Sequence, residues 1–578
     1  MAVGQGIENR ALLARRVRQV HKESAGDTGK FGAFSEVNAA SMGEVSIASA
    51  VAPTPSVSVA GNAALNIHAE GKLINRILLV ALVLGGSVDV LFYKKATGVS
   101  ALVFVGLIVG ALVTLGVMER VKVAWRNVWL VLPLVFFAGM VSVRANPEIT
   151  LMNLGAASVL LLLFIYFFTG GRVEALGMLG YPLTVLRMMR ESLRRPTPVV
   201  RKTIKQAASN PTQNRRIMEI TRGLVIAIPI LLLFTFLLSQ ADSIFQSLVS
   251  NVFQFRFVSD TPEAIMRLGI ILASAWGIAG AMLHALKPLP VANAFASGPA
   301  TVALKNRGIS YVEGTLVLAL VNALFAVFGW IQFTVLFSGQ ASRTMDFEAY
   351  REYVRRGFGE LLVVAVLTMA LILGLRRAMR RSTETQERNL NLMNTLMIGL
   401  AMTLLVSAFA RMVIWENIEF YISTATRLYV RTFIVCLGAL FVWLLLTTWF
   451  RRDRFAIGAL VTIMAFIVTV NTINPDAEVA AYNLRRNDEL STRYLYILSN
   501  DAVPTLVAGL TTTTGQAHTD LVWNLKYRLD EMEADKQWQN WQSFHFARQA
   551  AYDALVKARA GGGFVLYQAK YANVHRAQ

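Results

Sequence analysis

Apolar residues in this chain come in long blocks separated by short polar connections. The blocks cover Leu73–Phe92, Val99–Met118, Asn127–Val143, Ile149–Phe168, Gly223–Leu238, Ile265–Leu286, Thr315–Phe337 and Tyr353–Leu375, and three more lie between Leu390 and Asp476. Each of the last three exceeds the roughly 20 residues a helix needs to cross a hydrocarbon layer. The pattern predicts about eleven crossings in an all-α, polytopic membrane helix bundle. At Ser142–Pro147 the connection is so short that its flanking blocks also read as a re-entrant hairpin. That alternative would lower the count by two and leave its parity unchanged.

Polar stretches flank the blocks. Residues 1–71 open with the basic piece ENRALLARRVRQVHKE and continue through a segment rich in Ala, Ser, Val and Gly. They are expected to form a flexible cytoplasmic tail, and they lack the pattern of a signal peptide. A transmembrane domain is expected over 72–472, with a basic cytoplasmic connection at 170–222, and a helical extracytoplasmic region over 473–578. That last region begins with Asn474 before Pro475, followed by Asp476 and Glu478, which together have the form of a helix start. TTTTGQ reads as a linker, and His518 to about Ala560 carries apolar residues at helical spacing, ended by Gly561, Gly562 and Gly563.

With 55% hydrophobic and 16% charged residues, the composition departs from soluble averages in the direction membrane embedding requires. The net charge of +20 does not signal nucleic acid, because the Lys and Arg residues fall in short blocks between apolar spans. They crowd alternate connections: Arg120, Lys122 and Arg126; the run from Arg172 to Arg222; Lys287, Lys305 and Arg307; Arg376 to Arg388; and Arg451 to Arg454. The positive-inside rule then places the N-terminus in the cytoplasm and the C-terminus outside. Leu183, Leu186, Met189 and Leu193 recur at helical spacing opposite Arg187, Arg190 and Arg194, which predicts an interfacial helix against anionic lipids. The bilayer and its anionic lipids are thus the expected partners, with an envelope protein as a further one. Cys436 is the only cysteine and the six histidines are scattered, so no disulfide, thiolate cluster or metal site is expected. No cofactor is expected either: AGDTGKF lacks the earlier glycine of a phosphate-binding loop and has Phe31 where Ser or Thr belongs.

Charges that interrupt the apolar blocks supply the candidate site. Asp89, Arg356, Glu360, Arg411, Glu416, Glu419, Arg427, Arg431, Asn474 and Asp476 all fall at the end of the spans away from the basic connections. Arg427 and Arg431, like Arg356 and Glu360, are four residues apart and share a helix face. Guanidinium forks suit carboxylate or phosphate oxygens, so one arrangement is an outward-facing cavity that receives an anionic group. The other is mutual pairing that pins the outer helix ends. No catalytic constellation of Ser, His and Asp, and no zinc-protease pattern, is present.

The segments DVLFYKKATGVSALVF, VNALFAVFGWIQFTVLFSG, YREYVRRGFGELLVVAVLTMALIL, VSAFARMVIWENIEFYISTATRLYVRTFIVCLGALFVWLLL and NTINPDAEVAAYNLRR, followed by LYILSNDAVPTL, support a family name. Together they resemble the bacterial membrane family catalogued as domain of unknown function 4173, over roughly Leu73 to Leu510. The resemblance implies a multi-pass bacterial inner-membrane protein and carries no catalytic residues. The expected role is a non-catalytic cell-envelope scaffold or signalling partner. The alternatives are a transporter of a small or anionic solute and a membrane enzyme acting on a lipid-linked substrate, with Asp89, Glu416 or Glu419 as its acid.

Overall fold

The structure, a computed structural model, describes residues 57–201, 261–286, 309–332, 334, 347–379, 383–418, 424–450, 454–485 and 494–564, with side chains except at 57–70, 347–358, 414–418 and 536. Met1–Leu65 forms a unit of its own, of which only the first residues of α1 are described. The other unit, Asn66–Gln578, holds the helix bundle and the C-terminal helices. The predicted span at Gly223–Leu238 lies outside the described residues.

Eleven helices make up the bundle as described: α1 (Val57–Phe92), α2 (Val99–Met118), α3 (Val131–Met140), α4 (Pro147–Tyr166), α5 (Gly180–Arg194), α6 (Thr261–Leu286), α7 (Tyr311–Gln332), α8 (Phe347–Ala378), α9 (Glu384–Ile418), α10 (Ala425–Trp449) and α11 (Phe455–Ile473). Four more come after them: α12 (Pro475–Leu484), α13 (Val503–Gly509), α14 (Gly515–Ala534) and α15 (Phe546–Ala560). Among the described residues, nine helices are long and apolar enough to cross a membrane, and no strand occurs. The chain is an all-α, multi-pass helix bundle.

The predicted Asn127–Val143 block becomes a 3₁₀ turn, Trp125–Leu130, that leads into the short α3. Its lower end is tied by Asn127, whose Nδ2 donates to the carbonyls of Phe167 (3.0 Å) and Gly171 (3.3 Å) beyond the end of α4. At its other end the Ser142 carbonyl accepts from the Phe546 N–H at 2.7 Å, close to where Val99 at the start of α2 donates to the Phe544 carbonyl at 3.1 Å. The block therefore returns from the C-terminal end of α2 to its N-terminal end. It runs the length of the bundle rather than turning back as a hairpin.

Packing divides the bundle in two. One core joins α1 to α6, with Leu112, Phe137, Leu163, Phe168 and Met188 fully enclosed. A second joins α7 to α10 around Leu318, Ile372, Met397 and Phe441. Helix α11 belongs to both: Ala456 and Ile467 pack in the first core, Phe455 and Ala459 in the second. Outward faces carry Leu79, Val117, Leu132, Leu320, Leu324 and Val327 in the exposed state, as a lipid-facing surface requires. Because lipid tails are as apolar as leucine, close packing and interhelical hydrogen bonds must hold such helices together.

The two ends of the bundle differ. At one, α5 lies against the C-terminal half of α6: Trp276 Nε1 donates to the Leu193 carbonyl at 2.9 Å, and Gly280 meets the Ser192 backbone so closely that no Cβ fits. At the other, the connection from Phe92 to Gly98 and the turn at Ser142–Asn146 meet the C-terminal helices. Those helices have their own core of Val479, Leu506, Leu521, Leu525, Leu529 and Leu555. The segment His518 to Ala560, expected as helix throughout, breaks at Asp535. There the Asp535 side chain accepts from the Gln537 N–H at 2.9 Å and opens two 3₁₀ turns, Lys536–Gln539 and Trp541–Ser543, before α15 begins.

Candidate functional site

Two helix starts with the same local chemistry meet where the bundle joins the C-terminal helices. Asn146 caps α4, its Oδ1 accepting from the N–H groups of Glu148 (2.9 Å) and Ile149 (3.1 Å), with Pro147 in the first turn. Asn474 ends α11 and caps α12 before Pro475, in the left-handed conformation (φ +54°) that asparagine tolerates better than most residues. Both helices thus start on Asn-Pro-acid, with a side-chain acceptor for the free N–H groups and a carboxylate at the positive end of the helix dipole.

These starts are locked together. Asn146 Nδ2 donates to both oxygens of Asp476, at 3.2 and 3.0 Å, and the Asn146 N–H donates to Asp501 Oδ2 at 2.8 Å. Ser499 bridges the same two carboxylates, its N–H donating to Asp476 at 3.0 Å and its hydroxyl to Asp501 at 3.2 Å. Both acids are buried, 2% exposed for Asp476 and 6% for Asp501. Arg144 faces Asp501 Oδ1 at 3.9 Å, an ion pair without a hydrogen bond, while its Nε donates to the Asn471 carbonyl at 2.8 Å. Burial holds the Asp501 carboxyl above its ordinary range; the Asn146 N–H and the charge of Arg144 pull the other way, and Asp476 adds to the rise. One turn deeper, Asn153 and Asn471 exchange two amide hydrogen bonds (2.9 and 2.8 Å) between α4 and α11. On the C-terminal side, His545 Nε2 donates to the Arg144 carbonyl at 3.0 Å.

A family model described as a domain of unknown function, DUF4153, matches residues 131–509, about two thirds of the chain. The chain belongs to the DUF4153 family. The resemblance to domain of unknown function 4173 is corrected accordingly. Apolar helices look alike across unrelated membrane families, so the segments that carried the resemblance were enough to indicate the kind of family but not its number. No curated protein and no solved structure matches the chain. Asn146, Asp476, Ser499 and Asp501 all lie within the DUF4153 stretch, whereas Asp89 and His545 lie outside it.

Two of the other predicted residues, Asp89 and Arg411, take their hydrogen bonds elsewhere. Asp89, at the end of α1, is 6% exposed and takes a forked contact from Arg267 at the start of α6, at 2.6 to 3.2 Å. Lys94 pairs with Glu263 beside it at 2.6 Å, and Arg267 lies over the Tyr93 ring. Arg411 is 3% exposed on α9 and donates to Gln332 Oε1 of α7 at 2.7 Å, an oxygen that also accepts from Ser407 at 3.0 Å. Arg427 is half-buried and Arg431 exposed. Glu360 is exposed. Glu419 lies outside the described residues, and the side chains of Glu416 and Arg356 are not described.

Among the described residues, Asp89, Arg411 and Asp476 take their hydrogen bonds in three separate local sets. Asn146, Ser499 and Asp501 did not stand out in the sequence as members of a set. The signal that would have found Asn146 is the repeat of Asn-Pro-acid at Asn146–Glu148 and Asn474–Asp476. Nothing local marks Ser499 or Asp501. Among the described residues no group of His, Cys, Asp and Glu is placed to hold a metal ion.

Proposed function

We propose that this DUF4153 protein is a non-catalytic, multi-pass platform of the bacterial inner membrane that presents its C-terminal helices on the extracytoplasmic side. One observation carries the reading: the buried carboxylates of Asp476 and Asp501 are taken up by Asn146, Ser499 and Arg144, and so by the docking of those helices. An enzyme acid needs access to substrate, yet Asp476 and Asp501 are buried and bridged by Asn146 and Ser499. Orientation comes from charge, since the arginine-bearing α5 lies at the end of the bundle opposite the C-terminal helices.

Asp476→Ala and Asn146→Ala variants in purified protein test the platform. Each strands buried hydrogen-bonding groups and is expected to cost about 2–3 kcal/mol, read as a lower melting temperature and earlier protease release of the C-terminal helices. Wild-type melting and wild-type protease resistance in both variants would overturn the reading. Orientation is tested in a Cys436→Ser background. Tyr527→Cys should react with a membrane-impermeant maleimide on spheroplasts, and Arg190→Cys only after lysis.

A further inference from the structure

The C-terminal helices, with Ala96 of the connection between α1 and α2, form an open cavity of about 340 Å³, within the range of small-molecule sites. One face of α14 and its C-cap build about half of its wall, through Asn524, Tyr527, Arg528, Glu531, Met532 and the capping Asp535. These positions recur at three- and four-residue steps, so they form a single helix stripe. In a stripe that only packed a core they would be apolar. Tyr496 and Trp538 add two more aromatic rings, and Asn500 brings the wall to the residue beside Asp501.

Several of these groups hold unused hydrogen-bonding capacity. Asn524 is 1% exposed, and its Oδ1 accepts from Arg528 Nε at 2.7 Å. Arginine has no acceptor, so the amide orientation is fixed and Nδ2 is left as a donor without a partner. A buried donor in that state is costly unless something completes it. Arg528 is spent on the fold, donating to the carbonyls of Leu495, Tyr496 and Leu498. Arg548 and Glu531 line the cavity with no side-chain hydrogen bond or ion pair to any described residue.

We propose that this cavity binds a saccharide of one or two rings. Two cationic and two anionic side chains balance in its wall, so neither an anion nor a cation is favoured. A sugar ring offers what the wall lacks: hydroxyls that donate to Glu531 and accept from Arg548, and apolar C–H faces that pack on tyrosine and tryptophan rings. That the sugar belongs to a cell-envelope glycan rests on the extracytoplasmic placement proposed above.

The test uses the full chain in lipid nanodiscs prepared without glycoside detergent. N,N′-diacetylchitobiose and maltose are titrated while tryptophan fluorescence and heat are recorded. At least one sugar should bind saturably, and Tyr527→Ala and Glu531→Gln, both at exposed positions, should each weaken it about tenfold. No saturable binding of either sugar, or binding that both substitutions leave unchanged, would overturn the proposal. Tight binding of trialanine with no binding of sugar would overturn the ligand class. Binding in nanodiscs but not on spheroplasts would leave the site standing and overturn only the placement.

Discussion

At the scale of single residues, Asn474 and His545 carry the sharpest consequences. Asn474 must both adopt a left-handed backbone and cap α12, where its Oδ1 accepts from Ala477 at 3.4 Å. Asn474→Gly keeps the backbone and loses only the cap, a cost of a few tenths of a kcal/mol. Asn474→Val loses both and is expected to cost about 2 kcal/mol or more, and comparing the two melting temperatures checks this. His545 is held neutral: burial, with the charge of Arg548 adding to it, pushes its pKa down to about 4. A depressed histidine stabilises the fold fully above the ordinary value near 6.5, and that contribution is lost as pH falls from there to about 4. The loss is up to about 3 kcal/mol, and the raised carboxyl of Asp501 opposes it, because protonating a buried acid favours the folded form. Proteolysis of the C-terminal helices should therefore accelerate between pH 7 and pH 5, and less so in His545→Gln.

At the scale of elements, polar pairs fix helix register where apolar surfaces do not discriminate. Asn153 and Asn471 are fully buried and satisfy each other across α4 and α11. Asn153→Leu should cost about 1 kcal/mol by stranding the Asn471 amide, and the double variant Asn153→Leu, Asn471→Leu should recover much of that, read as a double-mutant cycle in thermal melts. Helix existence was legible from hydropathy; helix pairing was not, because Leu and Val pack on any partner. Asp89 shows the difference. Its cost inside a span was evident from sequence, but its partner Arg267 lies 178 positions away and only packing of α1 on α6 brings them together. Arg427 and Arg431 show the converse: spacing put them on one face, while the surrounding helices left one half-buried and the other exposed.

At the scale of the whole molecule, α5 presents a second surface. Its buried face carries Thr184 and Met188, while Leu183, Leu186, Met189 and Leu193 remain exposed beside Arg187, Arg190 and Arg194. On the orientation proposed above, that stripe would enter lipid at the inner headgroup region and the arginines would meet anionic headgroups, each worth about 1 kcal/mol. Replacing the three arginines by glutamine should lower retention of phosphatidylglycerol relative to phosphatidylcholine in the purified protein, measured by native mass spectrometry. The sequence by itself determined that this chain is a helical membrane bundle, where most of the described spans lie, and that α12 starts at Asn474. Those features depend on hydropathy, proline, capping and charge within about twenty residues. Only the tertiary structure decided that Asn146, Ser499 and Asp501 close around Asp476, that α11 joins two cores, and that one stripe of α14 lines a cavity. Each of these depends on contacts between distant segments, and a helix's composition does not encode which neighbour it meets.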